Sequence, residues 1–184
     1  MGMLGDSLDK ATAATFTRPL PKSAQSRMRY LVKHEKGTRG VAALLGVSQR
    51  TVERYLAGRI KQPRKDLAAR LEDAVRERWQ PRVRDRAKRH AATSGGIVIE
   101  TRARFGFTAA PGSTDDSRVR LITQSLPPAY AARLFAARDA GATEQQLCAI
   151  AAEGLQEIYF KDRGRRAQGL NVEFTDIDYV ELEF

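Results

Sequence analysis

The sequence predicts an α+β chain: a helical N-terminal half, then a small antiparallel sheet with packed helices. Three observations predict it. Apolar residues recur every three to four positions up to about residue 90, then alternate beyond Gly95-Gly96. Glycine and proline punctuation cuts the chain into segments of element length, as at Gly46, Pro63, Pro81, Pro127-Pro128 and Gly141. Charge divides in the same place: residues 1–104 hold 24 Lys/Arg and 10 Asp/Glu, whereas 105–184 hold 8 and 12.

In chain order, residues 3–15 read as a short helix with Leu4, Leu8 and Ala11 on its apolar face. With the proline-bearing linker RPLPK at 18–22 it makes an N-terminal arm, 1–22. Ser23 caps a helix to about Lys36 that buries Met28, Leu31 and Val32. The stretch Gly37 to Gly58, GTRGVAALLGVSQRTVERYLAG, organises this half. Val41, Ala42, Leu44 and Leu45 give an apolar face to a helix from about Thr38 to Leu45. Gly46 supplies the positive φ of a sharp turn, and Val47 plugs the corner. Ser48 accepts from the N–H groups that open a second helix, Gln49 to Ala57. Val52, Tyr55 and Leu56 pack back on the first helix, while Gln49, Arg50, Glu53 and Arg54 face away. Small Ala42 before the turn glycine and apolar Val52 after it complete the pattern of a helix-turn-helix. Its second helix is shaped to enter a DNA major groove. A plain helical hairpin has the same packing without the surrounding charge.

The loop RIKQPRK, 59–65, follows directly, and four of its seven residues are basic. It reads as a phosphate clamp in preference to a solvated loop. The expected DNA-contacting set is therefore Ser48, Gln49, Arg50 and Arg54 on the motif, with Arg59, Lys61, Arg64 and Lys65 on the loop. Residues 64–79 place Leu67, Leu71 and Val75 on one face of an amphipathic helix, which Pro81 kinks or ends. The run RVRDRAKRH, 82–90, is either a solvated helix face or a second phosphate contact. Trp79 is assigned to packing. Residues 23–94 make up the helix-turn-helix domain.

Residues 95–184 make the α+β domain. In GIVIETRARFGF, Ile97, Ile99, Ala103, Phe105 and Phe107 alternate with Val98, Glu100, Arg102 and Arg104, as a half-buried strand does. TAAPGSTDDS, 108–117, is a loop, and RVRLITQ, 118–124, a second strand. Pro127-Pro128 opens a helix to about Asp139 carrying Tyr130, Leu134 and Phe135. Thr143 and Gln146 form a capping box before a helix with a stripe of Leu147, Ile150, Ala151, Leu155 and Ile158. LNVEFTDIDYVELEF alternates again, with an acidic face suited to pair beside the basic strands.

Formal net charge of +10 and a pI of about 10.2 point to a polyanionic partner. No apolar run has the length of a membrane span, and the N-terminus is no secretory signal. A cytoplasmic location follows as an expectation. One cysteine and two histidines give no metal-site spacing, and Cys148 reads as an inert, buried thiol. No Ser/His/Asp set and no nucleotide-binding glycine motif is present.

Over its full length the chain resembles the telomere terminal proteins of the Streptomyces type. The resemblance runs from MGMLGDSLDKATAATFTRPLPKSAQSRMRYLV, through GVAALLGVSQRTVERYLAGRIKQPRKDLAARLE, to GLNVEFTDIDYVELEF. It implies a non-enzymatic DNA-binding protein, joined covalently to the 5′ ends of linear chromosomes and plasmids, that primes end-patching synthesis. Its implied partners are telomeric DNA (a folded 3′ overhang or the duplex), a telomere-associated binding protein and a DNA polymerase. It also implies self-association through the amphiphilic sheet and residence at nucleoid chromosome ends. No cofactor of its own is implied, since the polymerase brings Mg²⁺. Without the resemblance, the same features suit a helix-turn-helix transcriptional regulator with a C-terminal dimerisation domain.

A priming hydroxyl must reach a polymerase site, so it belongs on an exposed loop. The loop 108–117 offers Thr108, Ser113, Thr114 and Ser117. The resemblance favours this loop and Thr114 over Ser113. Asp115 and Asp116 follow at once, either to orient the hydroxyl or simply to form the turn. Gly112 and Pro111 give the segment its freedom from the strand before it.

Overall fold

A computed structural model describes residues 2–108, 118–163 and 170–184. Its helices are α1 (Met3–Ala14), α2 (Ala24–His34), α3 (Thr38–Leu45), α4 (Gln49–Leu56), α5 (Lys65–Arg78), α6 (Pro81–His90), α7 (Pro128–Asp139) and α8 (Glu144–Leu155). Its strands are β1 (Ile97–Thr108), β2 (Arg118–Leu126) and β3 (Asn171–Glu183). The fold is α+β with a small antiparallel sheet, as the sequence predicts.

The chain forms two compact units, Phe16–Arg82 and Met1–Thr15 with Val83–Phe184. The helical unit is inserted into the sheet unit rather than following an arm. This departs from boundaries at 22/23 and 94/95, and the cause is the apolar face of α1. Leu4 and Leu8 are at most 1% exposed and share one core with Ile97, Ile99, Phe105, Leu134, Leu147 and Leu182. Polar contacts fix α1 there. The Glu144 carboxylate accepts from the N–H groups of Leu4 (2.6 Å) and Gly5 (3.1 Å), which satisfies two orphan donors of the helix start. Arg138 grips Asp9 through two hydrogen bonds, at 2.6 and 3.2 Å.

The helical unit packs Met28, Leu31, Val41, Leu45, Val52, Tyr55, Leu71 and Val75 into its own core. The 18–22 stretch is not a free linker. Leu20 packs on this core, and the Arg18 carbonyl accepts from the Trp79 indole N–H at 3.0 Å. Trp79 also packs against Tyr30, with ring centroids 4.8 Å apart and ring planes tilted by 59°, so its role is packing. After α5, Gln80 adopts φ 43° and Pro81 opens α6, where a missing N–H costs nothing.

In the sheet unit the strand order is β2-β1-β3, all antiparallel. Gly96 leads into β1 at φ 74°, and a Cβ there would lie 2.3 Å from the Leu126 carbonyl oxygen. Two bulges interrupt the β1–β3 ladder, between Arg102/Ala103 and between Arg104/Phe105. They make the inward set of β3 run Val172, Phe174, Ile177, Val180, Leu182, which no strict alternation predicts. The acidic strand lies beside β1 alone, with Arg102 and Asp178 3.1 Å apart, while β2 sits on the far side of β1. Side chains occupy N–H groups of β3: Ser7 Oγ accepts from Leu182 (2.8 Å) and Gln156 Oε1 from Val172 (2.7 Å). On β2, no second strand pairs with the outer edge among the described residues, and Val119 and Leu121 are exposed. The capping box of α8 forms with both of its hydrogen bonds. Among the described residues no helix is long and apolar enough to cross a membrane.

Candidate nucleic-acid interface

The interface is built from the turn outward. Gly46 takes φ 61° and ψ 40°, the left-handed conformation its lack of Cβ permits. Val47 turns its N–H back to the Ala42 carbonyl at 3.0 Å, closing the end of α3. Ser48 Oγ then accepts from the Thr51 N–H at 3.2 Å, so the expected N-cap of α4 is in place. Val41, Leu45, Val52 and Tyr55 are buried between the two helices. Leu44 is the exception: it points outward at 38% exposure, because Val41, Ala42 and Leu45 already fill the face toward α4.

With Val52 and Tyr55 fixed inward, helical geometry sends Gln49, Arg50, Glu53 and Arg54 to solvent, where all four are exposed. Gln49 Nε2 donates to Glu53 Oε1 at 3.0 Å, one turn along. The i, i+4 spacing of the two residues is the sequence signal for this contact. The contact leaves the Gln49 carbonyl oxygen free to accept. Arg50 and Arg54 enter no ion pair among the described residues.

A glycine-based stop follows. Gly58 takes φ 70°, its N–H bonds the Tyr55 carbonyl, and the Arg59 N–H returns to the Arg54 carbonyl at 2.9 Å. Ile60 packs on the helical core and anchors the loop. Arg59, Lys61, Arg64 and Lys65 are exposed, without an ion pair among the described residues. Arg64 is the N-cap residue of α5 and Lys65 its first residue. Cations are disfavoured at a helix N-terminus, and an anion is favoured there. A phosphate seated at this end would offset that local cost. The eight expected residues lie in one stretch of sequence, 48–65, from the N-cap of α4 to the first residue of α5, and all eight are exposed.

Thr114, Ser113, Asp115 and Asp116 lie outside the described residues. Three tyrosine hydroxyls are engaged within the fold: those of Tyr30 and Tyr130 donate to the Arg78 carbonyl and the Glu157 carboxylate, and that of Tyr179 to Glu100 at 3.0 Å. Tyr55 is buried. Burial and Glu157 push the Tyr130 phenol well up, so it stays protonated. Burial also pushes the half-buried Cys148 thiol up to about 11, against reactivity at neutral pH. Among the described residues, no three His, Cys, Asp or Glu side chains gather as a metal site. No protein-family model, curated protein or solved structure matches the chain.

Proposed function

We propose that this chain is a terminal protein of linear replicons, binding DNA through α4 and the loop 59–65 and priming end synthesis on its own hydroxyl. The observation that carries the DNA-binding part is the solvent face of α4. Gln49, Arg50 and Arg54 stand there on a helix locked from behind by Val52 and Tyr55. The priming part is supported by the full-length resemblance. The acceptor is Thr114, with Ser113, Asp115 and Asp116 next to it in the sequence. Its oxygen attacks the α-phosphorus of a deoxynucleoside triphosphate, the bond to pyrophosphate breaks, and the hydroxyl proton passes to the polymerase. The polymerase supplies catalysis and Mg²⁺. This chain supplies the nucleophile and its positioning on DNA.

Labelled nucleotide transfer onto the protein, with polymerase and telomeric template, tests this. Thr114→Ala is expected to abolish labelling while DNA binding persists, and the wild-type linkage is expected to break in alkali. Normal labelling of the variant sinks the assignment. The exposed Val119 and Leu121 on β2 favour a second reading, a regulator that dimerises through its sheet. Protease treatment of a purified DNA end separates the two, since only a terminal protein leaves a peptide on the 5′ strand.

A further inference from the structure

We infer that α6 is a second nucleic-acid contact, separate from α4, whose Arg82, Arg86 and Arg89 take the phosphodiester backbone. The inference rests on reading the chain as a DNA-binding protein. Helical spacing puts these three arginines on one face over about 10 Å of helix. All three are exposed, and none enters an ion pair among the described residues.

The fold treats the other cations of α6 differently. Lys88 Nζ lies 2.8 Å from Asp139 and 5.4 Å from the Phe135 ring centroid. Arg84 lies 3.8 Å from Asp85, the one carboxylate on this helix. So the row 82-86-89 is the part of the helix whose guanidinium groups enter no ion pair among the described residues, Arg89 Nε donating to the Asp85 backbone carbonyl at 3.3 Å. Arg82 with Arg86, and Arg86 with Arg89, stand four and three residues apart, a like-charge spacing that destabilises an isolated helix. Exposed Asp85, one turn from both Arg82 and Arg89, offsets part of this, and α6 has no buried residue to supply the rest. A polyanion removes the repulsion and releases counterions as it binds.

The ligand class follows from what the face lacks. Val83 and Ala87 are half-buried, which leaves no apolar anchor among the three arginines. A protein partner needs such an anchor at the centre of its interface, whereas a phosphate backbone needs only spaced cations. Contacts of this kind position a protein without reading sequence.

The test uses the full chain and a random-sequence duplex, with affinity measured against salt concentration. The Arg86→Gln, Arg89→Gln double variant is expected to lower the log–log salt slope by about two units. It is expected to weaken random and selected duplexes by the same factor. Lys88→Gln is expected to leave the slope unchanged. Melting at low salt supplies the structural check, because the double variant should melt no lower than wild type once like charges are removed. A lower melting temperature would mean a structural role and overturn the inference. An unchanged slope in the double variant, with binding still lost in Arg50→Ala, overturns α6 and leaves α4 standing. The reverse pattern leaves α6 standing and overturns α4.

Discussion

Arg50 and Lys61 carry the same charge in different settings. Arg50 stands on the first turn of α4, beside a Gln49 amide already held by Glu53. A bidentate contact from it to a base edge is worth about 1–3 kcal/mol, so Arg50→Ala should lose about that much on a cognate duplex. Lys61 stands on a loop, and Lys61→Ala should instead reduce the salt slope by about one unit. Quantitative binding at several salt concentrations separates the two. Gly46→Ala forces an L side chain into φ 61°, which costs about 1 kcal/mol or more and should appear as a lower melting temperature. Cys148 gives a pH signature. Its thiol ionises near 9 when unfolded and near 11 when folded, so the unfolded chain loses the proton first. Stability should therefore fall as pH rises from about 9 to 11, and Cys148→Ser should flatten that limb in denaturant titrations.

At the scale of elements, α1 and β3 depend on each other. α1 contributes Leu4 and Leu8 to the sheet core and lays Ser7 on the Leu182 N–H, while Lys10 pairs with Glu181 at 2.8 Å. That surface pair is worth little, because both side chains are largely solvated. The leucines decide the matter: Leu4→Ala should cost about 2–5 kcal/mol, read as loss of sheet-unit stability in chemical denaturation. Removing residues 170–184 takes away β3, bares one side of β1 and uncovers the inner face of α1. Size-exclusion chromatography of that truncation should show aggregates, as expected of an opened sheet edge. A monodisperse truncated chain counts against this account.

At the scale of the molecule, charge follows the two units. The helical unit holds 17 Lys/Arg and 6 Asp/Glu, whereas the sheet unit holds 15 and 16. A polyanion should be drawn to residues 16–82, whose last cation, Arg82, begins the row on α6. The unit also has its own core, so a 16–82 fragment should fold and bind DNA. A 1–94 fragment keeps α1 without the sheet, exposes Leu4, Leu8 and Ala11, and should be the less soluble of the two. Expressing both fragments and comparing their solubility and DNA affinity checks the division.

The sequence by itself determined the local structure. The turn at Gly46, the Ser48 and Thr143 caps, the change of period at Gly96 and the outward residues of α4 all depend on neighbours within a few positions. Backbone sterics and short-range hydrogen bonds act at that range, so spacing and residue type reveal them. Tertiary structure alone decided which apolar faces meet. Leu4 and Leu8 are spaced as for any amphipathic helix, and nothing in that spacing says that their partners lie beyond residue 90. The bulges at Asp178 and Thr175 likewise answer to β1, across some 70 residues of chain. Arg82, Arg86 and Arg89 parted from Lys88 only because Asp139 and Phe135 came to lie under one side of α6. Burial is a property of pairs of distant segments, and the alternation of one segment records its own face but not the face it will cover.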